Sequence, residues 1–574
     1  MAVGSVRKGF PIHVKPDQVV PQRVVIKQML FNSTAFVFYF LPAALASFYL
    51  FQRFRNPRLP LLALIFWSLV FYGAWEPAGL IILLASIASN FGVGTVLVKG
   101  LVPARWRLAV LVTAITTDVL ALGYYKYAGF LVANIGSLLG IDMTVPSIVL
   151  PLAISFFTFT QIAFLVDAYR GEVKELNLIQ YALFVTFFPH LIAGPIYHHK
   201  EMMPQFARMA RLPFELVNAA AGLTLFAIGL FKKVALADSV AGYADPVFAA
   251  AAGDWPVTLL EAWGGALAFL MQIYYDFSGY TDMALGLALM FNVRLPANFN
   301  SPYKATSIID FWRRWHMTLT RFLTDYVYSP IALALARWGL GKGAGPVAFF
   351  LLSVVIPVNV TFLVSGVWHG AGWTFVAFGM IHGLALTINY AWREARMPEL
   401  PAWLCWLLTV LTFMVSLVFF RAETPGAALL VLKGLLGLNG VGLPAVYADG
   451  LFGAVGLLRY IGVRFQDSAA AYLQLPGEVL WLAALVLVAV LAPNSQQLLW
   501  RFRPTLETGL KDAAPSPMEA RLKAHLEWLG RLGQRQIAGG GAYWGAAVAA
   551  VICVLVIGQS WVRVQVAQFI YFQF

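Results

Sequence analysis

The stretch "LVSGVWHGAGWTFVAFGMIHGLAL", residues 363–386, contains two histidines and no aspartate, glutamate, lysine or arginine. A helix needs about 20 mostly apolar residues to cross the hydrocarbon core of a bilayer, so this composition predicts a membrane-embedded segment. The two histidines, His369 and His382, would lie about 20 Å apart along a straight helix, because each residue rises about 1.5 Å. They can approach each other only if the chain breaks, and the three glycines at 370, 372 and 379 permit a break.

Each of these histidines is a candidate functional residue, since ionisable side chains are rare and costly at membrane depth. The competing interpretation is a satisfied core histidine. We expect at most one of the two to take a direct part in chemistry.

The rest of the chain has the same apolar character. Of its 574 residues, 60% are hydrophobic and 12% are charged, whereas soluble domains carry about 25% charged residues. No water-soluble fold hides so much apolar surface, so the sequence predicts a membrane protein. The net charge of +13 favours contacts with anionic membrane lipids. We expect no nucleic-acid partner, because the basic residues are scattered between apolar runs.

Apolar runs of spanning or near-spanning length recur along the chain, beginning with residues 29–51. We therefore expect an all-α polytopic membrane protein with about eleven to thirteen transmembrane helices. Gly and Pro interrupt several runs, and such broken helices favour an enzyme or a transporter over a simple anchor. The other long runs lie near 61–84, 106–125, 147–168, 178–197, 214–236, 257–275, 347–367, 371–391, 402–420, 477–493 and 543–564. Shorter runs, predicted to be half-helices or re-entrant segments, lie at 85–98, 283–292, 322–338 and 426–438.

Two polar regions accompany this membrane domain, which extends over residues 29–574. Residues 1–28 carry five basic side chains, one acidic side chain and three prolines, which is the composition of a mobile basic tail. Residues 499–542 form the one long polar stretch within the domain, and we expect a membrane-side loop with a short helix there.

A second segment, "FWRRWHMTLTRFLTDYVYSP" at residues 311–330, surrounds His316 with arginine and tryptophan. Ser307 and Asp310 have the spacing of a capping box, which predicts a helix that begins at residue 308 and is limited by Pro330. On a helical wheel His316 falls on the apolar side. The charged side holds Asp310, Arg313, Arg314, Arg321 and Asp325. The segment is therefore either an interfacial amphipathic helix with a core histidine, or the rim of an active site whose arginines hold phosphates while His316 points inward.

Two acids, Asp276 and Asp282, lie beside Ser278 in the apolar passage "YYDFSGYTDMALG". Buried acids must be paired, hydrated or protonated, so these two either clamp helices together or contact substrate. We weigh the two alternatives equally.

Three further histidines are at positions 190, 198 and 199. They lack the spacing and the companion ligands of a usual metal site, so we predict no bound metal.

These passages together resemble the membrane-bound O-acyltransferases, in particular the bacterial branch that includes the membrane subunit of alginate O-acetylation. The similarity is carried by "MLFNSTAFVFYFLP", "FFPHLIAGPIY", "YYDFSGYTDMALG", "FWRRWH", "SGVWHGAGWTFVAFGMIHG" and the terminal "FIYFQF". It implies transmembrane and broken helices around a central tunnel. By this resemblance His369 in "VWHG" matches the family's catalytic histidine, and His316 in "FWRRWH" matches a second catalytic position. The residues expected to contact donor or substrate are Arg313, Arg314, Asp276, Asp282, Ser278, Trp368 and His382.

The resemblance implies an O-acyltransferase of the bacterial inner membrane with no bound cofactor. It would pass acetyl from a cytoplasmic donor such as acetyl-CoA towards an extracytoplasmic, alginate-like polysaccharide, directly or through a periplasmic partner. The implied partners are a periplasmic acetyltransferase and a polysaccharide synthase complex. A thioester is already activated, so a neutral imidazole, with an ordinary pKa near 6.5, suits the remaining task of deprotonating a hydroxyl.

Two alternatives stay open at this point. One is transfer of D-alanyl or another acyl group to a cell-wall polymer. The other, from a different class, is a polysaccharide or ion transporter, which would also have broken helices and buried acids but does not explain "VWHG" together with "FWRRWH". Because the resemblance begins at Met29, we also expect a chain that starts there to insert and function like the full chain.

Overall fold

The structure, a computed structural model, describes residues 29–144, 148–174, 176–445, 448, 454–460, 462–466, 476–506 and 569–570. In these residues the fold is all-α except for one short pair of parallel strands. Three of the regions singled out above lie outside them: the tail at 1–28, the apolar run at 543–564 and the larger part of the polar loop at 499–542.

In the described residues the helices follow one another in this order. The first twelve are α1 (Leu41–Phe51), α2 (Arg58–Gly73), α3 (Gly79–Val98), α4 (Ala104–Leu122), α5 (Ala128–Leu139), α6 (Ile154–Arg170), α7 (Leu178–Thr186), α8 (Phe188–Leu191), α9 (His199–Met209), α10 (Leu216–Phe231), α11 (Asp238–Ala252) and α12 (Leu259–Met290). The next eleven are α13 (Ile308–Trp312), α14 (Met317–Leu323), α15 (Ser329–Gly341), α16 (Pro346–Phe350), α17 (Ile356–His369), α18 (Trp373–Glu394), α19 (Ala402–Arg421), α20 (Pro425–Leu435), α21 (Ala454–Tyr460), α22 (Pro476–Leu491) and α23 (Ser495–Leu498).

Shorter elements complete the chain between these helices. Two strands, β1 (Val441–Pro444) and β2 (Val463–Gln466), pair in parallel. Turns of 3-10 helix lie at Pro302–Lys304 and Trp500–Phe502. Turns of π-helix lie at Phe36–Phe40, Gly123–Tyr127, Lys232–Ala237, Thr324–Tyr328 and Leu351–Val355.

Six helical stretches in the described part of the chain are long and apolar enough to cross a membrane. They are Gly79–Val98, Ala104–Leu139, Leu216–Ala252, Pro346–His369, Trp373–Glu394 and Ala402–Arg421. Four shorter apolar helices accompany them, at Phe36–Phe51, Arg58–Gly73, Pro425–Leu435 and Gly477–Leu491. The expected all-α polytopic architecture is confirmed, whereas the expected eleven to thirteen spans stay a prediction.

Several of the predicted runs have different boundaries in the structure. The run at 61–84 is not one span, because α2 ends at Gly73 and α3 begins at Gly79. The run at 85–98 is not a half-helix, because it is the later part of α3. The run at 178–197 is not one span: α7 ends at Thr186, Phe187 adopts an extended ψ of 107°, and a separate short helix begins before Pro189. The run at 283–292 is not a half-helix, because it is the last part of α12, which continues unbroken for 32 residues. In each case hydropathy located the apolar residues correctly and misjudged where the backbone turns.

Helix α12 is the central element of the fold. It begins at a capping box in which the Thr258 backbone N–H donates to the Glu261 carboxylate at 2.9 Å. Every residue from Ala268 to Met290 is buried, as expected of a helix that is apolar all round. Its Gly286 backbone approaches Gly222 of α10 so closely that a Cβ at either glycine would collide with the other's carbonyl. Small residues of this kind allow membrane helices to pack backbone to backbone.

Two buried apolar clusters meet along α12. The part of α12 before residue 278 belongs to one cluster, which also contains side chains of α11, α19 and α20. The part after residue 279 belongs to the other cluster, with side chains of α1, α6 and α10. The histidine-bearing segments 311–323 and 363–386 contribute side chains to both clusters, so they lie where the clusters adjoin.

Candidate active site

His369 is the last residue of α17. The chain turns through Gly370 and Gly372 and enters α18 at Trp373, so the predicted break between the two histidines is confirmed. The two helices can pack closely because Gly366 faces α18: a Cβ at this position would collide with the carbonyl oxygen of Phe375. The glycines therefore fix both the turn and the helix contact that present His369.

Aromatic rings surround the His369 imidazole. Its ring centroid lies 4.9 Å from that of Trp368, 5.2 Å from that of Phe420 and 5.7 Å from that of Phe378. Phe378 also contacts His382, with the ring centroids 4.8 Å apart. The break has brought the two histidines to the same phenylalanine.

His382 has a different environment from His369. It is completely buried, and its Nδ1 accepts a hydrogen bond from Trp312 Nε1 at 3.3 Å. His369 is only partly buried and lines a cavity of about 240 Å³. Of the two, His369 is the one placed to meet a substrate.

The cavity beside His369 is formed by four stretches that are distant along the chain. Its walls are Trp368 and His369 at the end of α17, the segment 150–156 that leads into α6, and Ile192. Lys126, from the π-helical turn Gly123–Tyr127, completes the lining. Trp368 was expected to contact substrate, and the structure places it on this cavity. The wider tunnel implied by the resemblance stays a prediction.

His316 does not lie in a continuous helix. The helix predicted to begin at residue 308 does begin there, with Ser307 Oγ accepting from the Asp310 backbone N–H at 3.1 Å. It ends at Trp312, and His316 adopts a left-handed conformation (φ 42°, ψ 51°) before α14 starts at Met317. The expectation of one helix limited by Pro330 was therefore wrong.

Asn298 holds His316 in this unusual conformation. Its side-chain oxygen lies 3.3 Å from His316 Nδ1 and accepts from Thr318 Oγ1 at 2.6 Å. Its backbone oxygen accepts from the Met317 N–H at 2.9 Å. Because an amide oxygen only accepts, this contact favours the neutral His316 tautomer that carries its proton on Nδ1 and has Nε2 as the basic atom. The His316 and Trp368 ring centroids are 6.4 Å apart, so Trp368 contacts both candidate catalytic rings.

The two arginines of "FWRRWH" both follow the end of α13 at Trp312 and have different environments. Arg314 is buried, with its Nε 3.0 Å from both carboxylate oxygens of Asp310 and its Nη1 donating to the Asn300 carbonyl at 3.3 Å. Arg313 is exposed. The helical wheel placed both on one charged side, which is wrong because the helix does not continue beyond Trp312. A role in donor binding stays a prediction, and exposure favours Arg313 for it.

The two acids of α12 lie in buried ion pairs. Asp276 is 2.6 Å from Lys233 Nζ and accepts from the Ile570 N–H at 3.0 Å. Asp282 is 2.6 Å from Lys232 Nζ and accepts from Ser495 Oγ at 2.8 Å. These contacts favour the helix-clamp alternative over the substrate alternative. Ser278 is buried in the same helix between them.

The remaining histidines contact protein groups. His199 Nδ1 lies 3.2 Å from Asp167, and His198 Nδ1 lies 3.1 Å from the Tyr326 hydroxyl. His190 is buried against the ring of Tyr197. Across the described ranges, no group of three or more His, Cys, Asp or Glu side chains is arranged to hold a metal ion.

Sequence reasoning missed Lys126 and Asn298. Lys126 carried a usable signal, because it is a lone lysine in the apolar passage "LALGYYKYAGFLVANI" and ionisable residues at membrane depth indicate function. Asn298 carried no such signal in the sequence, since a neutral amide is a common residue in a polar turn.

Comparison with known proteins identifies the class. Residues 144–421, which contain all the predicted site residues, match the profile of the MBOAT, membrane-bound O-acyltransferase family. The chain is 40% identical to a peptidoglycan O-acetyltransferase of Helicobacter pylori over 444 residues, which are 72% of this chain and 81% of that protein. The chain therefore belongs to the membrane-bound O-acyltransferase family, and it is a multi-pass membrane O-acyltransferase.

Two further relatives are named for different acyl-transfer activities. A protein named "Probable alginate O-acetylase AlgI" from Azotobacter vinelandii is 38% identical over 401 residues, covering 69% of this chain and 75% of that protein. A teichoic acid D-alanyltransferase of Bacillus subtilis is 28% identical over 272 residues, covering 46% of this chain and 65% of that protein.

Proposed function

We propose that this protein transfers an acetyl group from a cytoplasmic acyl thioester, such as acetyl-CoA, towards a hydroxyl of an extracytoplasmic glycan. The observation that carries the proposal is the position of His369 on a cavity at the end of α17, with the His316 ring in contact with the same tryptophan. A bacterial inner membrane is the location in which a cytoplasmic thioester and an external glycan can reach one site from opposite faces.

In the proposed reaction the acceptor hydroxyl gives its proton to the neutral imidazole of His369 while its oxygen attacks the thioester carbonyl carbon. The carbon–sulfur bond then breaks, and the leaving thiolate takes up the proton, so the products are an ester and a free thiol. General-base catalysis of this kind contributes about 10²–10⁴-fold to the rate. Holding both partners in one cavity adds to it by fixing their approach.

His316 provides the second imidazole of the proposed site. The Asn298 side-chain oxygen lies 3.3 Å from its Nδ1, a contact that favours the tautomer in which Nε2 is the basic nitrogen. Arg313, exposed at the end of α13, is proposed to bind the phosphates of a coenzyme A donor, because a guanidinium forms paired hydrogen bonds with phosphate. Transfer through a periplasmic acetyltransferase partner, next to a polysaccharide synthase, is an extension of the same proposal.

The acceptor is proposed by class only. The relatives named above act on peptidoglycan and alginate by their printed names, so a cell-wall glycan or a secreted polysaccharide is the proposed acceptor class. A second candidate reaction is D-alanyl transfer, which the similarity to the teichoic acid D-alanyltransferase favours. Membership of an acyltransferase family argues against the transporter alternative.

The proposal is tested with the purified full chain in lipid nanodiscs. Radiolabelled acetyl-CoA and a D-alanyl thioester are supplied separately, each with peptidoglycan strands, alginate oligomers or teichoic acid. With acetyl-CoA as the donor, we expect release of the free thiol together with base-labile radiolabel on one of the three glycans. If only the D-alanyl thioester supports transfer, the transferred acyl group is D-alanyl and not acetyl. If neither donor supports transfer to any of the three acceptors, the proposal is contradicted.

A matched pair of histidine variants controls this assay. His369→Gln removes the proposed base and should be inactive. His198→Gln changes a buried histidine that does not line the cavity and should remain active.

A further inference from the structure

The end of α17 is the point at which the fold must fix His369. The last carbonyl groups of a helix have no partner within the helix and need other donors. Here the donors come from far along the chain: the Tyr127 hydroxyl donates to the Val367 carbonyl at 2.8 Å. Lys126 Nζ donates to the Trp368 carbonyl at 2.5 Å and lies 3.3 Å from the His369 carbonyl. Three consecutive carbonyls, ending at the candidate base, are thus capped by two neighbouring residues.

The ammonium group also suits this position electrostatically. A helix carries partial negative charge at its C-terminal end, so a cation there is favourable. An ammonium group inside a predicted membrane span is costly and is retained where it has a specific task. Lys126 Nζ lies 3.5 Å from Ser155 Oγ at the start of α6 and lines the His369 cavity, so it links α6, α17 and its own helix at one point.

The local backbone is arranged to deliver both donors to one helix end. Lys126 and Tyr127 lie in a π-helical turn, Gly123–Tyr127, between α4 and α5. An extra residue in a helical turn re-aims the side chains that follow it, and π-helical turns occur frequently at functional sites.

We propose that Lys126, assisted by Tyr127, is a positioning residue that fixes the end of α17 and thereby the imidazole of His369 at the cavity. The inference rests on the proposed function, because it assumes that His369 is the base. It concerns residues that lie before the segment matched by the family profile, residues 144–421.

Kinetics of three variants test the proposal, with acetyl-CoA as the donor and thiol release as the signal. Lys126→Met keeps the length of the side chain and removes the cation and its donors. We expect kcat to fall by about 10–100-fold, since a displacement of about 1 Å costs up to that much, with KM for acetyl-CoA unchanged. Lys126→Arg retains a cation with several donors and should recover most of kcat, and Tyr127→Phe should show a smaller loss than Lys126→Met.

Lys99→Met is the matched control, because Lys99 is also at the C-terminal cap of a membrane helix but is exposed and does not line the cavity. It should behave like wild type. Wild-type kcat in Lys126→Met, or a loss in Lys126→Met that appears in KM alone, would overturn the proposal. A loss in Lys126→Arg as large as in Lys126→Met would also overturn it.

Hydrogen exchange separates this inference from the proposed function. In Lys126→Met, peptides covering 363–372 should exchange faster than in wild type, and in Lys126→Arg they should not. Wild-type exchange in Lys126→Met would overturn the inference even if acetyl-CoA proved not to be the donor. Conversely, full activity in Lys126→Met beside an inactive His369→Gln would remove the inference and leave the proposed function standing.

Discussion

Asn298 is the side chain that favours one tautomer of His316. Its side-chain oxygen lies 3.3 Å from Nδ1 and leaves Nε2 as the basic atom. If His316 takes part in the reaction, His316→Ala should lower kcat by about 10²-fold or more, the range of acid–base catalysis. Turnover by the purified variant measures this, and a fully active His316→Ala would return the residue to the apolar core.

Asn298→Ala provides a finer test of the same contact. It removes the acceptor that fixes the tautomer and the left-handed turn but leaves the imidazole, so we expect a loss of kcat smaller than that of His316→Ala. Asn298→Asp, which keeps an acceptor oxygen, should recover part of the loss. Identical kinetics for Asn298→Ala and wild type would show that the contact has no part in turnover.

At this scale the sequence revealed the residues with intrinsic chemistry. His369 and His316 could be singled out because imidazoles in apolar passages are unusual and because their neighbours form recognisable motifs. Asn298 could not, since its importance comes from the turn at His316, which depends on tertiary contacts. Lys126 could have been found, but the partner it contacts is 242 positions away along the chain.

Helix α13 and the residues after it show why the helical wheel failed at the scale of the element. A wheel assumes that the helix continues, and here it ends at Trp312. Arg313 is exposed and Arg314 is buried, so single variants should have different effects. Arg313→Glu should raise the apparent KM for acetyl-CoA with little change in thermal stability, because the side chain is exposed. Arg314→Met should lower thermal stability, because it leaves Asp310 without its buried partner. An unchanged KM in Arg313→Glu would remove its proposed contact with donor phosphate.

Asp276 of α12 pairs with Lys233 of the turn Lys232–Ala237. Variants of this pair can decide whether Asp276 holds the helices together or contacts substrate. Asp276 and Lys233 are both about 2% exposed, and removing one partner of a buried pair typically costs about 3–5 kcal/mol. Asp276→Asn should therefore lower the free energy of unfolding and leave the KM of the folded enzyme unchanged. The control is Asp245→Asn, which breaks the more exposed pair with Arg421 and should cost little. A changed acceptor KM with normal stability would support the substrate role instead.

The apolar pattern predicted the existence of most elements better than their ends. The runs at 106–125 and 402–420 lie within helices at Ala104–Leu139 and Ala402–Arg421. The run at 178–197 was misjudged because a proline and a local extended residue divide it, and hydropathy does not register either.

At the scale of the whole molecule, truncation can test whether insertion and activity need the basic tail, residues 1–28. Residues 1–28 lie outside the described residues and precede the first family-like motif at Met29. We expect a chain beginning at Met29 to insert in the same orientation and to acetylate as well as the full chain. Membrane fractionation, a reporter-fusion map and the acetyl-transfer assay measure this. Loss of insertion or of activity would assign the tail a function, such as contact with lipid headgroups.

His369 is proposed as the base of an O-acetyl transfer, and acetylation in cells measures this without purification of the protein. The chromosomal copy is replaced by His369→Ala, and base-labile acetate is quantified on isolated peptidoglycan and on secreted polysaccharide, with membrane levels of the protein checked in the same cells. We predict that the acetate lost on deleting the gene is also lost in His369→Ala while the protein remains in the membrane at its normal level. Wild-type acetylation in cells that contain only His369→Ala would show that His369 is not the base.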